Sequence, residues 1–293
     1  MSRLRIGIFP NLTKPECGLW IPSFIQVCEK HGVDVVLPSY VLESTQAIYR
    51  SIDAAYYQPC DELMPTIDIA FILGGDGTVL KMARSFALAQ VPVCAVNFGS
   101  LGFLFEVEPT EVEHWLPRIL AGDYHIEERM MLSAALCEGE NVSKVLPLAL
   151  NEIVIAHGNV GKMVRIDVYI DGHFVQQYPG DGIIVSTPTG STGYSFSGGG
   201  SIVAPQVKCL MVTPICPHLL LKTPFILDEQ AVLTFSSAPS RNSVRISIDG
   251  MTDQELPRTV SLRVSRSEYA LKMIRFTEKY FYTNLFTKLA GKS

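Results

Sequence analysis

A glycine-rich motif at residues 74–78, Gly-Gly-Asp-Gly-Thr, contains the first residues able to do chemistry. It follows an apolar run and precedes a helical pattern, and in an open α/β sheet ligands bind at that point. Glycines permit positive φ and let a phosphate approach the main chain. The start of a helix offers free N–H groups and the positive end of its dipole, and Thr78 is expected to be the N-cap. Asp76 is the informative residue: because a carboxylate repels phosphates, it must bind a metal, hydrogen-bond a hydroxyl or act as a base. For this motif alone, a structural βα turn remains an equal alternative.

A second segment, residues 180–200, is unusually rich in glycine and hydroxyl side chains. Seven of its 21 residues are glycine and seven more are serine or threonine. A flexible linker would lack the embedded apolar run 183–185 and Pro188. The Gly-x-Ser-x-Gly elbow of serine hydrolases is excluded because Ser197 stands in place of the last glycine. The segment favours a strand that opens into a loop of hydroxyls and bare backbone, suited to a polar, flat ligand such as a nucleotide.

Two shorter segments carry polar groups beside apolar runs. Asn151 and Glu152 precede the apolar run 153–156. An amide beside a carboxylate can hydrogen-bond an adenine edge and a ribose diol together, although for the dipeptide alone a turn before a strand is the default interpretation. Residues 97–104 follow another apolar run and are predicted to form a βα loop. The sequence has neither a Walker A motif nor a Gly-x-Gly-x-x-Gly fingerprint opening a helix, and its six histidines are scattered.

Alternating strand and helix patterns in the first half predict the scaffold of the first motif. Short apolar runs predict strands, and longer runs of helical period predict helices. The predicted strands are 5–9, 33–37, 67–73 and 91–96, and the predicted helices are 21–31 and 78–90. Strands alternating with helices imply an α/β domain with a Rossmann-like parallel sheet.

In the second half the apolar period changes to two. Residues 164–170 and 244–248 alternate apolar and polar side chains and end at Asp171-Gly172 and Asp249-Gly250, which are hairpin signals. Residues 260–264 alternate in the same way. This half is therefore predicted to be β-rich, of the antiparallel β-sandwich type. Apolar residues within 280–289 recur at helical spacing and predict a closing helix.

Composition restricts the function classes. The chain has 293 residues, 47% hydrophobic and 18% charged, with a net charge of −5 and no run of five like charges. This balance argues against a disordered tail, a nucleic-acid groove and a polybasic membrane face. The seven cysteines form no Cys-x-x-Cys pair, so we expect buried, reduced thiols. No apolar run approaches the ~18 residues of a spanning helix, and the first apolar run is too short for a signal peptide. We therefore expect a cytoplasmic protein.

Together these segments resemble the NAD kinase family. The match rests on residues 74–78, 97–99 with 101–104, 151–152, 181–182 with 187–192, Tyr194, and the Thr-Pro-Ile-Cys-Pro-His run at 213–218. The motif at 74–78 is shared with diacylglycerol kinases and phosphofructokinases, whereas the segment 181–194 is specific to the family.

The resemblance implies both an architecture and an activity. Residues 1–127 would form the α/β domain, 128–268 a β-rich NAD-binding domain, and 269–293 a C-terminal segment returning to the first domain. The activity would be ATP-dependent phosphorylation of NAD at the 2′-hydroxyl of its adenosine ribose, giving NADP. The assembly would be a homo-oligomer, a dimer or a tetramer. Because the sequence shows no dedicated carboxylate cage, Mg²⁺ or another divalent cation would arrive with ATP.

The resemblance also assigns site residues. Asp76 would be the catalytic residue and take the proton of the 2′-hydroxyl, while Gly77 would approach the ribose. Asn151 and Thr192 would hold the adenine, Glu152 a ribose diol, and Asp181 the nicotinamide end. The other residues assigned to NAD are Lys81, Phe103, Lys162, Gly193, Tyr194 and Ser197, and those assigned to the ATP phosphates are Gly74, Gly75 and Thr78.

The sequence departs from the family pattern at four places. Gly193 replaces an alanine, residues 179–180 lack a nearby arginine, Met251 replaces a glutamine, and residues 196–198 replace an alanine-rich turn. Two other functions remain as alternatives: a lipid kinase of the diacylglycerol type, and a non-catalytic NAD-responsive binding protein. A lipid kinase would need an exposed apolar or basic membrane face, which the sequence does not show, and Asp76 argues against loss of catalysis.

Overall fold

The computed structural model describes residues 3–100, 102–158, 163–219, 222–237, 243–277 and 280–289. The chain divides into two units: unit 1 contains residues 1–128 and 271–293, and unit 2 contains residues 129–270. No helix within the described ranges is long and apolar enough to cross a membrane.

Unit 1 alternates strands with helices along the chain. Its elements before unit 2 are β1 (Arg5–Pro10), α1 (Pro15–Lys30), β2 (Asp34–Pro38), α2 (Ile48–Ser51), β3 (Tyr57–Gln58), α3 (Cys60–Leu63), β4 (Ile69–Gly74), α4 (Asp76–Ala89), β5 (Val93–Asn97) and α5 (Val112–Leu120).

The strands of unit 1 form a parallel sheet in the order β3-β2-β1-β4-β5. Phe71 of β4 lies opposite Ile8 of β1, so Phe71 and Phe9 face opposite sides of the sheet. Phe24 of α1 packs against Phe71, and Phe86 of α4 packs against Phe9, with ring centroids 5.1 and 4.8 Å apart. Helices therefore cover both faces, and the predicted Rossmann-like sheet is confirmed.

Helix α1 begins earlier than the sequence pattern predicts. It starts at Pro15 instead of residue 21, and its buried stripe already includes Cys17 before Ile21. Proline is compatible with the first turn because its missing N–H has no helical acceptor there. The ends of the four strands predicted in the first half shift by at most two residues, whereas the strand predicted at 260–264 continues to Arg275.

Unit 2 is built mainly from antiparallel strands. Its elements are β6 (His125–Glu138), β7 (Asn141–Val145), β8 (Glu152–His157), β9 (Val164–Ile170), β10 (His173–Gly180), β11 (Gly182–Ser186), α6 (Tyr194–Ser197), β12 (Cys209–Ile215), β13 (Phe225–Asp228), β14 (Leu233–Ser237), β15 (Val244–Ile248), β16 (Thr252–Leu256) and β17 (Ser261–Arg275). Strands β6 and β17 each have residues in both units, and the last helix, α7 (Tyr280–Leu289), belongs to unit 1.

Two sheets of unit 2 share one apolar core. One has the order β13-β12-β11-β8-β15-β16, and the other contains β10-β9-β14-β17 with β6 and β7. Ile155, Ile183 and Ile246 of the first sheet lie in the same buried cluster as Ile166 and Phe235 of the second. Two sheets that bury their inner faces against each other form a sandwich, so the predicted antiparallel β-sandwich is confirmed.

The hairpin of β9 and β10 follows directly from local sequence. Asp171 and Gly172 connect the two strands with φ of 49° and 80°. Positive φ at both positions is the requirement of a type I′ turn, which Asp-Gly meets at little conformational cost.

All seven cysteines are free. Five are buried, whereas Cys60 and Cys216 are exposed, so the expectation of buried thiols is wrong for these two.

Candidate active site

A cavity of about 500 Å³ opens in unit 1 at the carboxyl ends of β1 and β4. Its lining includes Asn11 and Lys14, which follow β1, and residues 75–78, which follow β4. Strand β2 is the neighbour of β1 in one direction along the sheet, and β4 is its neighbour in the other direction. Such a reversal of strand order is the place where open α/β sheets bind ligands.

The Gly-Gly-Asp-Gly-Thr motif forms the turn between β4 and α4. Gly74, Gly75 and Gly77 all lie outside positive φ, so the expected use of glycine for that conformation is wrong here. Gly74 is needed for space, because an added Cβ would collide with the Thr78 side chain. A Cβ on Gly75 or Gly77 would meet nothing within 4 Å. These two glycines therefore leave bare backbone at the cavity.

The N-cap of α4 is Gly75, and the expectation that Thr78 is the cap is wrong. Thr78 is the third residue of the helix, and its Oγ1 accepts hydrogen bonds from the backbone N–H of Gly75 at 3.4 Å and from Nδ2 of Asn11 at 2.9 Å. The buried hydroxyl thus ties the helix start to the loop after β1. The cap is one turn earlier than predicted because Asp76 and Gly77 are already helical.

Asp76 is held by the loop that follows β5. Its Oδ2 accepts the backbone N–H of Phe103 at 3.0 Å, and its Oδ1 accepts that of Leu104 at 3.1 Å. A Cβ on Gly102 would collide with the same carboxylate. Both oxygens are therefore fixed in direction, while the half-buried side chain still lines the cavity.

Two lysines line the cavity that contains Asp76. Lys14 donates from Nζ to the carbonyl oxygen of Phe98 at 2.5 Å, and Lys81 is exposed on α4. The sequence motifs indicate Lys81 but give no indication of Lys14 or Asn11. The available signal was positional: loops after parallel strands all open at the same edge of the sheet, so polar residues after β1 belong with those after β4.

In unit 2, the carboxylate of Glu152 is buried, and one of its oxygens lacks a hydrogen-bond partner among the described residues. The residue is 8% exposed, and the unpartnered oxygen is Oε2. Burial, and next the negative charge of Asp249, raise the pKa of Glu152 to about 7, although a backbone hydrogen bond from Tyr194 acts in the opposite direction. Ser186, its partner in the β8–β11 register, also has a buried hydroxyl with no partner in the described chain. Such orphaned groups mark a place where a polar ligand or water completes the bonding.

Asp249 fixes the backbone from which Asn151 and Glu152 project. Its carboxylate accepts the N–H groups of Leu150, Asn151 and Glu152 at 2.7, 2.9 and 3.0 Å. Burial raises the pKa of Asp249, and the three backbone hydrogen bonds oppose this rise. The sequence predicts only a turn at Asp249, because nothing local indicates bonds to residues about 100 positions away.

The segment 180–200 is more ordered and more inward-facing than the loop expected. It consists of β11, a 3₁₀ turn at Thr189–Thr192 and α6. Most of its hydroxyls are buried in internal bonds: Thr187 donates to the carbonyl of Leu150, and Ser191 donates to that of Val203. Glycine here permits close packing, since a Cβ on Gly190 would collide with the backbone of Asn151. The expectation of a loop of free hydroxyls and bare backbone is therefore wrong for most of the segment.

Comparisons with known proteins place the whole chain in one family. The model of the ATP-NAD kinase N-terminal domain matches residues 24–124, and that of the ATP-NAD kinase C-terminal domain matches residues 150–276. The chain is 33% identical over 286 residues to the NAD kinase of Natranaerobius thermophilus, covering 98% of both chains. It belongs to the NAD kinase family. The NAD kinase of Moorella thermoacetica is 36% identical over 97% of this chain and 89% of its own.

Solved structures of NAD kinases share this fold. Yeast NADH kinase, crystallised with NADH, matches with a TM-score of 0.88 and 27% identity over 99% of this chain and 88% of its own. An NAD kinase from Archaeoglobus fulgidus, crystallised with ATP, matches with a TM-score of 0.74 over 98% of this chain and 99% of its own. At 23% identity, the second likeness concerns the fold alone.

The residues that the sequence assigns to an NAD kinase site lie in both units. The cavity of unit 1 is lined by Gly75, Asp76, Gly77, Thr78 and Lys81, and Gly74 belongs to the same turn. Phe103 lies in the loop that holds Asp76. In unit 2, Gly193 packs beside Asn151 and Glu152. Thr192 and Asp181 are half-buried, whereas Tyr194 and Ser197 are exposed. Lys162 lies outside the described residues.

Proposed function

We propose that the protein transfers the terminal phosphoryl group of ATP to the 2′-hydroxyl of the adenosine ribose of NAD, giving NADP. One observation carries the proposal: in a chain of the NAD kinase family, the Asp76 carboxylate lines a cavity with two lysines at the reversal point of the sheet. A carboxylate with both oxygens fixed suits a hydroxyl acceptor better than a phosphate.

Asp76 would orient the 2′-hydroxyl and accept its proton. Phosphoryl transfer passes through a loose transition state, so the protein mainly positions the reactants and neutralises charge. A carboxylate is a weak base for a ribose hydroxyl, and proton transfer would therefore come late. The two N–H donors of the loop at residues 103–104 would hold the carboxylate in place while the bond to phosphorus forms.

The phosphates of ATP would lie against the start of α4 and the two lysines. The helix start supplies free N–H groups and a positive dipole end, and Gly75 and Gly77 leave room for close approach. Lys14 and Lys81 add positive charge at the same cavity. Within the described residues, no group of three or more His, Cys, Asp or Glu side chains is arranged to hold a metal ion. We assign Mg²⁺ to the ATP complex, because phosphate oxygens are its usual ligands in kinases.

The residues of unit 2 would bind NAD. Asn151 and Thr192 are assigned to the adenine, Glu152 to a ribose diol and Asp181 to the nicotinamide end, with Gly193, Tyr194 and Ser197 lining the pocket and Lys162 near a phosphate. The unpartnered oxygen of Glu152 supports this assignment, because a ribose hydroxyl would donate the missing hydrogen bond.

Two wider properties belong to the same proposal. The protein would form a homo-oligomer: among the described strands, β10 pairs with β9 alone, and its Phe174 is 58% exposed. Exposed apolar strand edges favour self-association. The location would be cytoplasmic, where free cysteines such as the seven found here remain reduced.

The test is to incubate the purified chain with NAD, ATP and Mg²⁺ and to measure NADP. The expected result is NADP formation that depends on all three components. Phosphorylation of diacylglycerol instead would favour the lipid-kinase alternative. Binding of NAD without turnover would favour a non-catalytic NAD-responsive protein. Light scattering of the same preparation tests the oligomer, and a single-chain mass would contradict it.

A further inference from the structure

The loop that holds Asp76 is itself held by α7. Asn284 donates from Nδ2 to the carbonyl oxygens of Gly102 and Phe105, at 3.1 and 3.3 Å. Between these two carbonyls lie the N–H groups that Phe103 and Leu104 give to the Asp76 carboxylate. One amide side chain therefore bonds both ends of the four-residue loop.

A buried arginine from the same C-terminal segment bonds the middle of the loop. Arg275 is 1% exposed, and its Nη1 donates to the carbonyl oxygen of Leu104 at 3.1 Å. Its Nε donates to Glu127 at 2.8 Å, which pairs the buried charge. Leu104 thus receives a bond from Arg275 at its carbonyl and gives one to Asp76 from its N–H.

Aromatic packing joins the same two segments. The ring of Phe281, which is 3% exposed, lies against that of Phe103, with centroids 6.1 Å apart. Three carbonyls and one ring of the loop 102–105 are therefore contacted from residues 275–284. The bonds of Asn284 end on the loop, and the N–H groups of the loop bond Asp76, so the influence of Asn284 on Asp76 passes through the loop.

We propose that Asn284 is a positioning residue for Asp76, fixing the direction of its carboxylate through the loop 102–105. This inference rests on the role proposed for Asp76. A carboxylate bonded by two N–H groups turns with the peptide that carries them, and a misplacement of about 1 Å at a reacting group can reduce turnover about 100-fold. Asn284 lies beyond residue 276, where the matched C-terminal domain ends.

The experiment compares Asn284→Ala and Asn284→Asp with a control on the same helix. Asn284→Ala removes the donor, and Asn284→Asp turns an oxygen toward two carbonyl oxygens. The matched control is Thr287→Ala, because the Thr287 hydroxyl donates to the carbonyl oxygen of Thr283, a bond that stays within α7. Steady-state kcat and KM for NAD and ATP are measured, together with hydrogen exchange of residues 102–105.

Asn284→Ala is expected to lower kcat about 10- to 100-fold, with KM for NAD within about twofold and faster exchange in the loop. Asn284→Asp is expected to lower kcat further, and Thr287→Ala is expected to match the wild type. A kcat unchanged in Asn284→Ala would overturn the proposal. If that variant unfolds, Asn284→Ser, which keeps a shorter donor, is measured with the same expectation of reduced kcat and the same refuting result.

The role through Asp76 is tested in an Asp76→Asn background. If Asn284 acts through Asp76, adding Asn284→Ala to Asp76→Asn lowers the residual rate by less than about twofold. A second full drop would show that Asn284 acts independently and would overturn the proposal. Failure of the proposed function is distinguishable, because the wild type would then form no NADP at all.

Discussion

Replacing Glu152 with glutamine is expected to stabilise the protein without ligands while weakening NAD binding. Burial and the charge of Asp249 raise the pKa of Glu152 from the ordinary 4.5 to about 7. Between pH 4.5 and pH 7, Glu152 keeps its proton in the folded chain but has released it in the unfolded chain. The free energy of unfolding therefore falls as pH rises through this range. At about 1.4 kcal/mol for each pKa unit, the free energy lost is about 3 kcal/mol, most of it between pH 5 and pH 8.

The assay is thermal unfolding of ligand-free wild type and Glu152→Gln at pH 5 and pH 8. A neutral glutamine has no proton to lose, so the variant avoids the decline. Its melting temperature should rise relative to that of the wild type by about 5 °C between pH 5 and pH 8. Glu140→Gln, at an exposed glutamate between β6 and β7, is the matched control and should show no such change.

The same variant should bind NAD more weakly, because an ionised carboxylate accepts a ribose hydroxyl better than a neutral amide does. Loss of a hydrogen bond to a charged group corresponds to about 1.5–3 kcal/mol. The wild-type affinity should also rise as pH increases through 7. Stability and affinity thus move in opposite directions, which general damage to the fold cannot produce. A melting difference that is the same at pH 5 and pH 8 would refute the reasoning.

Three further substitutions test other contacts. Gly102→Ala places a Cβ against the Asp76 carboxylate and should lower kcat about 100-fold with little change in KM for NAD; an unchanged kcat would show that the loop adapts. Asp249→Asn replaces with an amide donor one of the two carboxylate oxygens that accept three N–H groups, and should lower the free energy of unfolding by about 1–3 kcal/mol. It should also lower the pKa of Glu152, so that NAD affinity rises at a lower pH than in the wild type; an unshifted pH profile would contradict this. Lys14→Met should raise KM for ATP about tenfold at saturating NAD, and a change confined to KM for NAD would exclude the assigned phosphate contact.

Local signals in the sequence are sufficient for much of the fold. The period-two pattern of residues 164–170 and the following Asp-Gly predict β9 and its type I′ turn, because both depend on neighbouring residues alone. The apolar run before residue 74 predicts β4 and places Asp76 at the ligand edge of the sheet for the same reason. The start of α1 and the N-cap of α4 are harder to predict from the sequence. The first depends on burial, and the second on a bond from Asn11 to Thr78.

The supports of the site could not be read from the sequence. Asp249 bonds residues about 100 positions earlier, and Asn284 bonds residues about 180 positions earlier. Such contacts follow from how distant strands and helices pack, and no local pattern encodes them. In the hydroxyl-rich segment 180–200, composition is misleading. It suggests hydroxyls that face a ligand, whereas packing directs Thr187 and Ser191 into internal bonds.

Turnover by Asp76→Asn tests the central claim most directly. NADP formation from NAD and MgATP is measured beside NAD binding by calorimetry, with melting temperature as the check on folding. The expected result is a fall in kcat of about 100- to 10,000-fold, with NAD affinity and folding retained. Near-normal turnover by the folded variant would contradict the role of Asp76 and the mechanism built on it.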